Sequence, residues 1–512
     1  MSRTTNALRN SAYGIAGKVA LMVLGFVSRT IFIRHLGTTY VGVNGLYSEL
    51  LSMLSFTELG VGSALIYAMY EPVAHKKELE TLQLLDFYRA AYRWVACAVA
   101  LLGVAIIPFL PHIVKGADFL TLSELRLYYV IFLFNTVCSY FVTYKYSYIN
   151  ALQKNYITTI FDTVVNGVIS IFQTVVILLT DNFLAYLLTN SVCVVLSRAA
   201  IVLYLNRKYS ILRKKPSAPL PAEKRRGIFK NIKTLALARL SDVAVHSTDN
   251  IIISSLSGLG ILGVGLVSNY MLLINYIKGF VSIMINSVIS GFGNLAVTAS
   301  QQRYREVFLE GNFICFWLYG FCAIAFFVLI PPFITLWIGK ENLIDSVSFL
   351  LILVNFYLQG QGSCYFNARS AKGEFHRDVS LVILFPIVNL AVSIIGAKTL
   401  GLVGVYVGTV VSRLVITMRP ALGYRYFFGH SAWEYFRKLL LYFSTAVLAG
   451  AATYFAVRPL LRSLTWGRFV LGACAVAVLP NLIFLLLFSR SQEFKDVLTR
   501  VKGLISGKRA HG

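Results

Sequence analysis

Charged residues are scarce in this chain: they make up 13% of its 512 residues, against about 25% in a typical soluble domain. Its seven cysteines form no C-x-x-C pair, so neither a zinc site nor a disulfide framework is indicated. No H-E-x-x-H motif, phosphate-binding glycine loop or nucleophile elbow lies in a suitable setting. These absences argue against a soluble domain and against an enzyme. We therefore predict no catalytic residues and no metal site.

Long apolar runs dominate what is present. Apolar residues make up 57% of the chain and are grouped in long segments. A helix of about 20 apolar residues is long enough to cross the hydrocarbon core of a bilayer. In lipid, only helices and closed barrels satisfy the backbone, and these runs are too long and too unalternating for barrel strands. The sequence predicts an all-α polytopic membrane protein with about fourteen transmembrane helices. They are roughly 11–33, 41–70, 87–112, 126–146, 157–180, 183–205, 233–255, 260–290, 308–336, 346–367, 379–397, 401–424, 439–457 and 467–488.

Positive charge is distributed unevenly between the loops on the two sides of these spans. The chain has 47 Lys and Arg against 22 Asp and Glu, a net charge of +25. With the N-terminus inside, most of the cations fall in the tails and the even-numbered loops, as the positive-inside rule requires. We therefore expect a multi-pass membrane protein with both termini cytoplasmic. The charge indicates attraction to anionic membrane lipid, and no nucleic-acid partner is expected.

Faint self-similarity divides the predicted spans into two halves. Val194–Arg198 (VVLSR) late in the sixth span resembles Val410–Arg413 (VVSR) late in the twelfth, and Leu36-x₅-Gly-Val resembles Leu256-x₆-Gly-Val. A basic, proline-containing segment between the halves has a linker's composition. We predict an N-terminal six-helix half (1–205), a basic cytoplasmic linker (206–232), a C-terminal six-helix half (233–425), two additional transmembrane helices (426–489) and a basic cytoplasmic tail (490–512). Such halves are pseudo-symmetric and rock about a central site in transporters.

The first 75 residues carry a family resemblance. RHLG at 34–37, YVGVNGLY at 40–47, ELGVGSA at 58–64 and IYAMYEP at 66–72 resemble the first two spans of bacterial polysaccharide repeat-unit flippases. These belong to the multidrug/oligosaccharidyl-lipid/polysaccharide exporter superfamily. The resemblance implies a substrate of undecaprenyl-pyrophosphate-linked oligosaccharide, turned from the inner to the outer face of the membrane for capsule or exopolysaccharide synthesis. It transfers no functional residues, because the family has no universal catalytic motif.

Cations inside the predicted spans mark candidate binding residues, since each costs at least about 2.5–3.5 kcal/mol at the bilayer centre. Lys18 and Arg29 project from one face of the first span, because eleven residues at about 100° each return to nearly the same direction. Arg239 and Lys278 lie in the seventh and eighth spans. We predict that these four line a hydrated central cavity and bind the substrate's pyrophosphate. Headgroup anchoring is the alternative for Arg29 and also for Lys18, which lies deeper in the span. A structural ion pair with Asp242 is the alternative for Arg239, and neutralisation of an acid such as Glu58 is the alternative for Lys278.

Acids inside the spans form a second candidate set. Arg239, Asp242, His246 and Asp249 recur at spacings of 3, 4 and 3, on one helical stripe that cannot face lipid. Glu58 lies in the second span. We predict that Asp242, Asp249 and Glu58 are ion-coupling or cavity acids. Protonation or sodium binding at Asp242 or Asp249 would change the charge of the cavity and couple transport to an ion gradient. An interhelical structural role is the alternative for Glu58, and no other cofactor is expected.

Two arginines and two tyrosines inside the spans also have predicted roles. Arg198 and Arg413 lie late in their spans and are expected to anchor at the headgroups. Tyr47 and Tyr270 are suggested to stack on sugars, although most aromatic residues here are expected to pack or to form interfacial belts.

The sequence thus predicts a flippase that works by alternating access of a cationic cavity. A peptidoglycan-precursor flippase or a multidrug exporter of the same superfamily is the transporter alternative, and a membrane glycosyltransferase or polymerase is the non-transport alternative. A polysaccharide polymerase and glycosyltransferases are the expected protein partners.

Overall fold

A computed structural model of the chain describes residues 3–54, 58, 61–230, 232, 248–289, 300–372 and 379–505. Seventeen α-helices and no strand occur in these residues. In chain order the helices are α1 (Arg3–Leu36), α2 (Thr38–Leu54), α3 (Val61–Ala74), α4 (Glu78–Ile106), α5 (Leu110–Ile113), α6 (Leu122–Ala151), α7 (Asn155–Thr180), α8 (Phe183–Lys208), α9 (Asp249–Leu256), α10 (Gly260–Ile289), α11 (Gln301–Ile338), α12 (Ser346–Lys372), α13 (Val379–Leu400), α14 (Leu402–Phe428), α15 (Ala432–Leu461), α16 (Trp466–Phe488) and α17 (Gln492–Ile505).

Twelve helical segments of the described residues are long and apolar enough to cross a membrane, which confirms the all-α polytopic class. They correspond to twelve of the fourteen predicted spans. The second predicted span, 41–70, contains the end of α2 at Leu54 and the start of α3 at Val61, and both helices are shorter than a full crossing. Most of the seventh predicted span, residues 233–247, lies outside the described residues. The last part of that span is helical and belongs to α9.

Polar residues at the hinges set the helix ends. Thr121 and Glu124 form a reciprocal capping box at the start of α6, since each side chain accepts the other's backbone N–H. α7 ends at Asp181, whose φ of 48° lies in the left-handed region. Asn182 then caps α8 by accepting the backbone N–H of Ala185 at 3.1 Å. Two antiparallel helices are therefore joined by a hinge of two residues.

The contacts divide the chain into two compact units, Met1–Gly265 (unit 1) and Leu266–Gly512 (unit 2). The basic segment predicted as a linker belongs to unit 1. Lys214 pairs with Glu78 at 2.6 Å and Lys224 with Glu80 at 2.5 Å, while Leu212 is buried. The segment is thus fastened to the start of α4. The predicted division into two halves and two extra helices remains a prediction.

Unit 2 contains a helical hairpin, α13 and α14, packed at backbone distance. A Cβ added to Gly404 would lie 1.9 Å from the carbonyl oxygen of Gly396, and one added to Gly408 would lie 2.2 Å from Oγ of Ser393. Small residues let helices in lipid approach this closely. The hairpin therefore holds the polar residues of α14 at a fixed place in the unit.

The segment predicted as a cytoplasmic tail contains the amphipathic helix α17, which packs on α11. Arg500 pairs with Glu310 at 2.8 Å, and Glu493 pairs with Lys438 of α15 at 2.5 Å. The ring of Phe494 stacks on that of Trp317 with centroids 5.9 Å apart. Polar and apolar contacts together dock α17 on the unit.

Candidate functional site

Unit 1 contains a cavity of about 520 Å³ whose walls are mostly neutral and polar. α2, α6 and α8 contribute to it, together with Glu58. The lining residues are Ser48, Leu51, Ser52, Glu58, Phe132, Asn135, Thr136, Ser139, Tyr140, Thr143 and Asn190. Glu58 is a predicted site residue that lies in this lining, and the described residues of the lining include neither Lys nor Arg.

Glu58 is half-buried and fixed by an aromatic neighbour. The hydroxyl of Tyr92 donates to Glu58 Oε1 at 3.2 Å. The ring of Tyr92 is stacked against that of Tyr140 with centroids 6.5 Å apart. The carboxylate is therefore held in place while it lines the cavity.

The hydroxyl groups on α6 add oxygen acceptors to the same cavity. Thr136, Ser139 and Thr143 donate to carbonyls of their own helix at 3.0, 2.7 and 3.1 Å. Each hydroxyl hydrogen is thereby used, and the oxygen lone pairs stay available as acceptors. Oδ1 of Asn135 has no hydrogen-bond partner among the described residues. The carboxylate of Glu58 together with these oxygen acceptors is a combination that suits a small hard cation or a proton.

The other predicted site residues of unit 1 have different surroundings. Lys18 is exposed on α1, and Arg29 is half-buried within electrostatic reach of Tyr186. Asp249 is half-buried at the start of α9. Their roles as phosphate-binding or coupling residues remain predictions.

Two residues of the predicted polar stripe, Arg239 and Asp242, lie outside the described residues, as does His246. The part of the stripe that is described is Asp249 alone.

Lys278 of α10 lies in a polar cluster of unit 2. Its ammonium group donates to Gln359 Oε1 at 2.7 Å, and it lies within electrostatic reach of Arg413. Arg413 in turn donates from Nε to Asn355 Oδ1 at 2.8 Å. Arg413 is only 7% exposed in the middle of α14, so the expectation that it anchors at the headgroups is wrong.

The suggested sugar-stacking tyrosines are core residues. Tyr47 is fully buried, and its hydroxyl donates to the carbonyl of Leu125 at 2.9 Å. Tyr270 is 1% exposed, and its hydroxyl accepts the backbone N–H of Ile344 at 3.3 Å. Neither ring offers a face to a ligand, so the suggestion is wrong.

The neutral residues of the unit 1 cavity were not predicted from the sequence, because the candidate residues were chosen by their charge. A usable signal exists: Asn135, Ser139 and Thr143 recur at intervals of four within an apolar span, and so do Ser48 and Ser52. This spacing places them on one helical face. The described residues contain no group of three or more His, Cys, Asp or Glu side chains arranged to hold a metal ion.

The fold resembles that of solved membrane transporters. The chain superposes on the lipid II flippase MurJ in an inward closed conformation with a TM-score of 0.67, at 13% identity, covering 93% of this chain and 99% of that one. It superposes on an inward-facing multidrug resistance MATE family transporter with a TM-score of 0.62, at 16% identity, covering 80% and 94%. The MATE transporter VcmN of Vibrio cholerae gives 0.55, at 13% identity, covering 85% and 97%.

The sequence itself defines the family. The model of the polysaccharide biosynthesis protein family matches residues 7–290, more than half of the chain. The chain therefore belongs to that family. No curated protein matches it by sequence.

Proposed function

We propose that this protein is a flippase that moves undecaprenyl-pyrophosphate-linked oligosaccharide repeat units from the inner to the outer face of the bacterial cytoplasmic membrane. The observation that carries the proposal is a polysaccharide biosynthesis family match on a chain with the fold of membrane transporters. A lipid-linked saccharide is consistent with both the family match and the transporter fold, because it is a polysaccharide precursor that has to cross a bilayer. The cargo serves capsule or exopolysaccharide synthesis, with glycosyltransferases and a polymerase as partners.

The barrier to this reaction lies in the headgroup. The pyrophosphate carries about two negative charges and the sugars carry hydroxyls that must leave water, whereas the polyprenyl tail stays in lipid. A cleft with cations lowers that barrier, and alternating access exposes the cleft first to one face and then to the other. Lys18, Arg29, Arg239 and Lys278 are the proposed cations.

The polar cavity of unit 1 supports an ion-coupling role for Glu58. The described lining, rich in oxygen acceptors and carrying the carboxylate of Glu58, fits a proton or sodium ion better than a phosphate. Binding of such an ion neutralises Glu58 and changes the relative stability of the transporter's states. Asp242 and Asp249 are the other proposed coupling acids.

The second candidate cargo is a peptidoglycan lipid precursor, because MurJ, whose fold this chain shares at 13% identity, is a lipid II flippase. A multidrug exporter requires an anionic or aromatic drug cavity instead. A glycosyltransferase or polymerase requires a catalytic acid or base beside the lipid-linked sugar, so hydrolysis or transfer of the sugar by the purified protein separates it from the flippase.

A flipping assay tests the function. Purified protein is reconstituted into liposomes with a fluorescent undecaprenyl-pyrophosphate oligosaccharide, and a glycosidase outside the liposomes reports the accessible fraction. We expect the wild type to expose the protected fraction, and Lys18→Ala combined with Arg239→Ala to slow this by about tenfold or more, since each charged hydrogen bond contributes about 1.5–3 kcal/mol.

Lys77→Ala is the matched control, because that lysine is exposed and pairs with Glu71 at 2.9 Å outside the apolar spans. A double variant as fast as wild type at equal protein level would remove those cations from the mechanism. A wild type that flips lipid II but not the oligosaccharide lipid would transfer the assignment to the second candidate.

A further inference from the structure

The cavity of unit 1 is larger than a coupling ion needs. Its volume is about 520 Å³, whereas one water molecule takes about 30 Å³ of the liquid. Pockets that hold small organic ligands measure about 300–1,000 Å³. The cavity therefore has room for an organic ligand beside an ion at Glu58.

The polar wall of this cavity lies deep in the unit. Asn135 and Ser139 are one helical turn apart near the middle of α6, which is long and apolar enough to cross the membrane. Polar side chains this far inside a membrane helix either bond to a neighbouring helix or face a cavity. The hydrogen bonds of the cavity residues distinguish these two roles.

The cavity hydroxyls bond to carbonyls of their own helices. Those of α6 donate within α6, and the Ser48 hydroxyl of α2 donates to the carbonyl of Asn44 at 2.7 Å. A second set of hydroxyls in unit 1 joins two helices instead: Oγ of Ser28 on α1 lies 2.8 Å from Oγ of Ser170 and 2.7 Å from Oγ1 of Thr174, both on α7. The second set connects helices, whereas the first places oxygen atoms at the cavity wall.

The polar atoms of this wall are mainly hydrogen-bond acceptors. Each hydroxyl that donates to its own helix has used its hydrogen and keeps its lone pairs. Glu58 accepts from Tyr92 at 3.2 Å and adds the acceptor capacity of a carboxylate. Asn135 lines the cavity too, and its buried Oδ1 has no hydrogen-bond partner among the described residues. Because the terminal torsion of asparagine is soft, this amide can turn toward a ligand that carries O–H or N–H donors.

Charge decides which donor-rich ligand fits the cavity best. The described lining contains the carboxylate of Glu58 and neither Lys nor Arg, so an anion is repelled there. An organic cation uses the carboxylate but leaves most of the neutral acceptors without donors. A sugar ring is uncharged and carries several hydroxyls, each of which donates one hydrogen. A neutral sugar therefore matches both the composition and the size of the cavity.

We propose that the cavity of unit 1 binds a neutral sugar ring of the cargo, with Asn135, Ser139 and Glu58 among the residues that contact it. The inference rests on the proposed function, which it deepens by assigning the sugar part of the headgroup to a site within unit 1. The cavity takes no part in binding the pyrophosphate, so the two kinds of recognition can be measured separately.

The test compares two lipids on the full chain in nanodiscs of phosphatidylcholine. The probes are undecaprenyl pyrophosphate and the same lipid bearing one glucose. We expect the wild type to bind the glucose-bearing lipid about tenfold more tightly or better, since several sugar hydroxyls gain hydrogen bonds. Asn135→Leu should reduce this preference by about threefold to tenfold, the effect of one neutral hydrogen bond, and change the dissociation constant of the bare lipid by less than about twofold.

Thermal unfolding separates ligand binding from a structural role. Asn135→Leu should keep or raise the melting temperature, because it removes a buried polar atom that has no partner among the described residues. Thr174→Val is the matched control in the same unit. It removes a hydroxyl that joins α1 to α7, so it should lower the melting temperature and keep the preference for the glucose-bearing lipid within about twofold of wild type.

A second variant covers the case in which Asn135→Leu does not fold. Ser139→Ala removes a cavity oxygen whose hydrogen bond at 2.7 Å stays within α6, so the contacts between helices are retained. We expect the same threefold to tenfold loss of preference, on the order of one hydrogen bond. A full preference in the folded variants, or equal affinity of the wild type for the two lipids, would overturn the sugar site.

Tetraphenylphosphonium is the third probe, and it tests the organic-cation alternative. Binding of this cation that Asn135→Leu weakens, without a preference for the glucose-bearing lipid, would overturn the sugar site and reassign the cavity to organic cations. The flipping assay separates the inference from the proposed function. Normal flipping without a glucose preference would overturn the site alone. A preference that Asn135→Leu reduces, in a wild type that does not flip, would support the site and overturn the proposed function.

Discussion

Single residues in this protein acquire their roles from the partners that distant helices supply. Arg198 and Arg413 occupy matching places in similar segments, yet one meets the carboxylate of Asp162 and the other meets the amide of Asn355. A carboxylate beside a partly buried cation compensates part of the cost of removing its charge from water. Arginines at matching places in the two units thus contact different kinds of side chain.

Glu58 is the residue on which the proposed ion coupling is tested. Glu58→Gln keeps the size and the acceptor for the Tyr92 hydroxyl but removes the charge that a proton or sodium ion neutralises. We expect the acceleration of flipping by an ion gradient to fall by about fivefold or more, the scale of a coupling free energy of 1–3 kcal/mol. Rates in liposomes with and without imposed proton and sodium gradients measure it.

Asp86→Asn is the control for that experiment, since Asp86 is another acid of unit 1, is half-exposed and pairs with Arg89 at 3.4 Å outside the cavity. It should leave the gradient dependence unchanged. Full gradient dependence in Glu58→Gln would exclude Glu58 from coupling.

At the scale of helices, the sequence predicts apolar helices that end at polar hinges. It does not predict features that depend on contacts with other helices. α7 and α8 match the predicted spans 157–180 and 183–205 closely, because Asp181 and Asn182 end one helix and cap the next through local chemistry. Arg413 is buried and bonded to Asn355, a residue of another helix, so no local sequence pattern signals its burial. The neutral polar residues that α6 contributes to the unit 1 cavity were missed, because Ser, Thr and Asn are common between membrane helices and carry no charge.

α17 gives a prediction at the same scale, because its docking depends on pH. The side chain of Glu493 is 17% exposed and bonded to Lys438. Burial acts to raise the pKa of Glu493, but the hydrogen bond to Lys438, a hydrogen bond to its own backbone and the positive charge of Lys438 together lower it below its ordinary value. An acid with a lowered pKa in the folded state stabilises docking above the unfolded pKa of about 4.3, and this contribution is lost as pH falls through the folded pKa.

Hydrogen exchange of the α17 amides, corrected for intrinsic rates, measures this dependence. We expect constant protection from about pH 7 to pH 5 and a loss below about pH 4. Lys438→Met should reduce protection at neutral pH and flatten the curve, whereas Lys495→Met, at an exposed position of α17, should retain it. Protection that is independent of pH in the wild type would assign the docking to apolar contacts such as that of Phe494 with Trp317.

For the whole molecule, the orientation of the chain follows from the distribution of its Lys and Arg side chains, and we predict both termini on the cytoplasmic side. A reporter at the C-terminus or within 216–219 of the basic segment should behave as cytoplasmic, because the positive charge nearby opposes translocation. A reporter at Leu343, between α11 and α12, should behave as external. Alkaline phosphatase and green fluorescent protein fusions at these three places give opposite signals on the two sides of the membrane. Phosphatase activity at 216–219 would reverse the orientation, and with it the direction in which the proposed cargo enters the transporter.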